Sequence, residues 1–103
     1  MPTDALAVWA TMEAHPGRED AARVFLTEAA RRLQAEPGTT SFRAMDLGGG
    51  RFAIFNTFTD EDAFKAHVGG EVARWVQESR EDLFIEPYAI TLCRTFAAKG
   101  DVP

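Results

Sequence analysis

His67 closes the run FTDEDAFKAHVGG over residues 58–70, among small and apolar neighbours and just before a glycine pair. An unperturbed imidazole titrates near about pH 6.5, so such a side chain can take or give a proton under ordinary conditions. Two readings stand for it: a base or hydrogen-bond donor at a cavity, or a helix-end side chain that bonds to backbone and fills volume. Asn56 lies in RFAIFNTF, on one strand face with Phe52, Ile54 and Phe58. A buried amide must find hydrogen-bond partners, and a substrate carbonyl or oxyanion is one that would serve. Trp9 and Trp75 could sandwich a flat molecule by stacking, or could be plain core or interface residues. Tyr88 could donate a phenolic hydrogen bond. Phe52 shares the face of Asn56 and Phe64 the face of His67, so both are candidate walls of an apolar site. Arg43 and Arg94 fall in strands, where they could bind an anion or pair across an interface. His15 falls in a turn and is expected to be exposed.

The elements that must position these residues follow from punctuation and periodicity. Breakers fall at His15-Pro16-Gly17, Glu36-Pro37-Gly38, Gly48-Gly49-Gly50 and Gly69-Gly70. Residues 6–14 alternate as a strand, with Leu6, Val8, Ala10 and Met12 opposite Ala7, Trp9, Thr11 and Glu13. Arg18–Ala35 reads as a helix, with Ala22, Phe25, Leu26, Ala29 and Leu33 at helical spacing. TTSFRAMDL and RFAIFNTF flank the triple glycine as a hairpin. Asp60 or Thr59 can cap a helix starting near Glu61, which Gly69-Gly70 ends. A second short helix runs from Glu71 to about Arg80, and a last strand from Tyr88 to Phe96. The order is β-α-β-β-α-β, the ferredoxin-like α+β arrangement of a four-stranded antiparallel sheet with helices on one face. Both faces of Phe52–Phe58 are apolar, and one helical layer covers only one of them. The other face calls for a partner, most simply a second copy of the chain.

Size and charge narrow the class. The 103 residues are expected to form one domain, with a core over about 5–96 and a loose tail over 97–103. A chain this short buries roughly 60–65% of its unfolded surface, which favours association. Sixteen acidic against eleven basic residues, net −5, disfavour nucleic acid and anionic membranes as partners. Cys93 is the only cysteine, so there is no disulfide framework and no multi-cysteine metal site. It reads as a small buried strand residue. Two distant histidines and scattered carboxylates make no metal-ligand set. The triple glycine lacks the Lys-Ser/Thr of a phosphate loop. With no long apolar segment and no signal-peptide pattern, the cytoplasm is the default location.

Five short motifs, in order, carry a family resemblance: His15-Pro16-Gly17, Glu36-Pro37-Gly38-Thr39, the aromatic strand Phe52–Phe58, Asp60–His67 and Glu86-Pro87. Together they resemble an antibiotic biosynthesis monooxygenase (ABM) domain of the dimeric α/β-barrel group, over about residues 5–96. The resemblance implies a homodimer with sheets packed face to face and, in each subunit, a cavity between sheet and helices. It also implies oxidation of a small aromatic metabolite such as a quinol, anthrone or polyketide, with O2 as cosubstrate and no bound cofactor. Relatives often carry Tyr-Glu-Xaa-Trp where this chain has Phe55-Asn56-Thr57-Phe58, which replaces a candidate base with an amide. The haem-degrading branch places a histidine ligand in the helix after the break; Glu71–Arg80 has none, so haem is not expected. His67 and Asn56 are then the expected catalytic residues, and Trp9, Phe52, Phe64, Trp75 and Tyr88 the expected substrate contacts. Two other functions fit the same fold: a non-catalytic dimeric module for a small hydrophobic ligand, and an isomerase of a small metabolite.

Overall fold

The computed structural model describes residues 5–99. Along it run β1 (Ala5–Ala14), α1 (Glu19–Leu33), β2 (Thr39–Gly48), β3 (Arg51–Phe58), α2 (Glu61–Val68), α3 (Glu71–Leu83) and β4 (Phe84–Thr95). The strands form one antiparallel sheet in the order β2-β3-β1-β4. This is the expected ferredoxin-like arrangement, with its second helical section divided at Gly69-Gly70. The tail has no regular structure from Phe96 to Lys99, and residues 100–103 lie outside the described ones.

Local chemistry sets the boundaries. Gly48 pairs with Arg51, so the β2–β3 loop is the two residues Gly49 and Gly50, with φ of 63° and 81°. A two-residue hairpin whose twist matches the strands needs positive φ at both positions, which glycine adopts without a steric penalty. Asp60 caps α2, its carboxylate accepting from the Ala63 amide at 2.8 Å. The last strand starts four residues earlier than its alternation suggests, at Phe84, and α3 runs on to Leu83. Both junction residues are buried, Leu83 at 7% exposure and Phe84 at 2%, so burial carries the chain from helix to strand without a loop. The β1–β4 register slips between the pairs Thr11–Ala89 and Glu13–Ile85. Pro87, which has no amide hydrogen to give a ladder, falls within that slip. His15 is half-buried rather than exposed, because its Nε2 reaches the carbonyl of Glu81 at 3.1 Å.

The helices cover one face of the sheet. Phe25 and Leu26 of α1 meet Phe52 of β3, Ala14 of β1 and the Leu83–Phe84 junction in the main core. Arg32 joins α1 to α3: its guanidinium lies 4.1 Å over the Trp75 ring while its Nε donates to Glu28 at 2.9 Å. Hydrogen bonds from Arg31 and Arg32 hold the Glu28 carboxyl down to about 2. On the opposite face Trp9 stands beside Phe55 and Thr91, and Phe55 beside Arg43. No described element covers Trp9, which stays 39% exposed.

One close approach fixes where α2 sits. A Cβ built on Gly38 would lie 2.5 Å from the Cβ of Ala63, so α2 rests against the start of β2 through a missing side chain. Gly38→Ala is therefore expected to push α2 outward and cost about 1–3 kcal/mol, as overpacked sites do. The urea midpoint should fall accordingly; an unchanged midpoint would mean that α2 does not press on this turn.

Candidate functional site: an apolar chamber under the helices

Between the sheet and the helices lies a cavity of about 270 Å³. Its floor comes from alternate residues of the central strands, Val8 and Ala10 of β1 and Ile54 of β3, whose side chains share the helix-side face. Its roof comes from the apolar stripes of α1 and α3, including Phe25, Ala29, Val72 and Val76. Small-molecule sites have this character: mostly apolar walls with a few polar groups that set orientation. Here the polar side chains on the wall are Asn56, His67, Gln77, Arg80 and Tyr88.

Asn56 is 3% exposed, and its Oδ1 is closed off from solvent without a hydrogen-bond partner among the described residues. Neighbouring polar atoms do not serve it, because β3 is flanked on this face by apolar residues: Asn56 pairs in register with Val8 on one side and Phe42 on the other. Leaving such an atom unmet costs about 1–3 kcal/mol. The chain carries this cost at the wall of a cavity.

His67, in the last turn of α2, is held from two sides. Its Nδ1 lies 2.8 Å from Glu36 Oε1, and its ring packs 5.1 Å from that of Phe58. Thr39 Oγ1 donates to the same Glu36 oxygen at 2.9 Å. The His67 and Glu36 side chains are 17% and 21% exposed, so water screens this pair little. Glu36 and Thr39 sit in the turn that follows α1, and the missing side chain at Gly38 brings α2 within their reach.

Arg80 lies in α3 with its guanidinium 4.5 Å over the Tyr88 ring. Among the described residues no carboxylate is within ion-pair distance of it. The wall therefore includes a cation whose charge no described side chain neutralises. Among the described residues no group of three or more His, Cys, Asp and Glu is gathered closely enough to hold a metal ion, and no helix is long and apolar enough to cross a membrane. The Cys93 thiol, half-buried on β4, meets the carbonyl of Ala7 at 3.6 Å.

Of the residues singled out from sequence, His67, Asn56 and Tyr88 come together on this wall. The others stand elsewhere. Phe52 is packed into the main core under α1, and Phe64 lies edge-on to Phe58 at 5.5 Å. Trp75 is stacked on Phe25 at 4.6 Å, behind the wall, with Arg32 on it. Trp9 is on the far face of the sheet, paired with Phe55. The two indoles thus cannot clasp one molecule between them, since the sheet separates them. Sequence reasoning passed over Arg80 and Glu36. The first has a legible signal, since residues 72, 76 and 80 form one helical stripe at i, i+4, i+8. The second has none: a turn glutamate looks like surface, and its partner is 31 residues away.

Known proteins share this arrangement. The NE2512 protein of Nitrosomonas europaea, itself of unknown function, is 34% identical, with 95% of each chain covered and a TM-score of 0.87. Rv0793 of Mycobacterium tuberculosis is 22% identical at a TM-score of 0.81, covering 93% of this chain and 99% of that one. PA3566 of Pseudomonas aeruginosa is 21% identical at 0.78, covering 92% and 97%. No curated protein matches. The family model for antibiotic biosynthesis monooxygenase matches residues 5–79, from β1 into α3. With the expected topology around that match, the chain belongs to the antibiotic biosynthesis monooxygenase family.

Proposed function

We propose that the chain is a monooxygenase that oxidises a small aromatic metabolite of the quinol, anthrone or polyketide type with O2 and without a bound cofactor. The observation that carries this reading is the buried, unpartnered amide oxygen of Asn56 in the same apolar chamber as His67. A flat substrate with a hydroxyl would fill the chamber and satisfy that oxygen. Family membership and the apolar walls support the same class of ligand.

The chemistry asks little of the protein. Triplet oxygen reacts slowly with closed-shell molecules, but an electron-rich carbanion or phenolate can pass it one electron. For an activated methylene, His67 would remove a proton, the anion would reduce O2, and the radical pair would join at carbon as a hydroperoxide. Loss of water then leaves a carbonyl: one oxygen atom stays in the product, the other departs in water, and no external reductant is consumed. Asn56 Oδ1 would accept from the substrate hydroxyl and so hold the ring in place. The Arg80 guanidinium would offset the negative charge that develops in a medium of low dielectric. In the same reading, two copies join across the uncovered sheet face, where Trp9 and Phe55 form an apolar surface.

Oxygen uptake with a panel of hydroquinones and anthrones tests the activity. Turnover should exceed the uncatalysed rate; His67→Ala should lower kcat by about a hundredfold, the usual share of a general base, and Asn56→Ala should lower kcat/KM as the substrate hydroxyl loses its acceptor. If no compound is oxidised faster than in buffer, the oxidation proposed here falls; tight binding without turnover would make the chain a ligand-binding module. Stability supplies a separate check. Asn56→Leu keeps the volume and removes the unmet polar atom, so it should raise stability by about 1–2 kcal/mol while lowering kcat/KM as Asn56→Ala does. A lower melting temperature in this variant would mean that the amide already has its partners.

A further inference from the structure

His67 stands in the wall between two hollows. One is the apolar chamber. The other is a cleft of about 590 Å³ against the turn after α1, and Glu36 and Thr39 line that cleft but not the chamber. The hydrogen bond from Nδ1 to Glu36 Oε1 therefore leaves the ring from its cleft side. That oxygen receives the Thr39 hydroxyl as well, at 2.9 Å, and an ionised carboxylate has only acceptors to offer. The donor in the 2.8 Å contact must then be the imidazole, with its proton on Nδ1. A neutral imidazole protonated there carries its lone pair on Nε2.

We infer that Glu36, supported by Thr39, is a positioning residue: it holds His67 in the Nδ1–H tautomer and leaves Nε2 as the nitrogen able to take a proton in the chamber. The inference rests on the proposed function only for what Nε2 then does; the tautomer is a property of the protein without substrate. An imidazole free to choose would mostly carry its proton on Nε2, where it could donate but not act as the base. Glu36 also reaches across the fold. It ties the last turn of α2 to the end of α1, so the ring is fixed in both direction and protonation pattern.

The second histidine supplies an internal control. His15 Nε2 lies 3.1 Å from the carbonyl oxygen of Glu81, which can only accept, so His15 is held in the opposite tautomer. Two-bond proton–nitrogen correlation spectra of the full chain, labelled with 15N and recorded at about pH 8 where an ordinary imidazole is neutral, distinguish the two forms. The expected result is an Nδ1–H pattern for His67 and an Nε2–H pattern for His15. In Glu36→Ala, His67 should change to the Nε2–H pattern while His15 keeps its own. A native His67 already in the Nε2–H form, or one indifferent to Glu36→Ala, overturns the inference. Should Glu36→Ala fail to fold, Glu36→Gln keeps the shape, and the native spectrum alone still decides the tautomer. Kinetics with the best aromatic substrate add the second readout: Glu36→Ala, which removes the acceptor, should lower kcat about tenfold or more with KM nearly unchanged, as expected when a base is left in the wrong tautomer. An unchanged kcat alongside a shifted tautomer overturns the positioning role and leaves the proposed function standing. The Nδ1–H pattern in a protein that oxidises none of the panel upholds the tautomer and sinks the proposed function instead.

Discussion

Phe52 and Phe58 act as two supports on the same face of β3, and the helical layer rests on both. They lie six residues apart along the strand, about 20 Å at ordinary strand rise. At one end Phe52 enters the core with α1 and the Leu83–Phe84 junction; at the other, Phe58 is 1% exposed beneath Phe64 and His67 of α2. Between the supports β3 presents only Ile54 and Asn56, and there the layers do not close. The chamber is thus a consequence of spacing. Bulky rings at both ends hold the helices off the sheet, and the strand's period of two puts an amide in the gap.

The same spacing explains why the polar groups are sparse. A wall made of strand positions of one parity and helix positions of one stripe takes most of its residues from the hydrophobic pattern that folds the chain. Each polar residue there opposes the local demand for burial. Asn56 does so most plainly, being buried with an oxygen that no described residue bonds. Departures of this kind from local consistency are where functional or strained sites are expected.

Much of the scaffold was legible from residues alone because its signals are local. Alternation marks β1 and β3, Asp60 marks the start of α2, and three glycines mark a tight hairpin. The face of Asn56 was legible as well, since a strand assigns faces by parity. Where the reading strayed, longer-range effects decide. Pro87 suggests a strand beginning after it, yet burial of Phe84 extends β4 past it through an irregular register. Aromatic content points to Trp9 and Trp75 as a pair, yet parity sets one on the far face and stacking on Phe25 sets the other behind the wall. The Glu36–His67 contact was out of reach because it depends on how a turn and a helix end meet in space, through a glycine whose role no local pattern announces.

The separation of the two indoles gives the molecule a pair of built-in optical reporters. Trp75 meets the chamber wall through Phe25, on whose ring it stacks and which lines the chamber. Trp9 feels whatever lies against the opposite face of the sheet. Emission from one would follow occupancy, and emission from the other association, so a chain with a single indole left in place could report either event without an added dye.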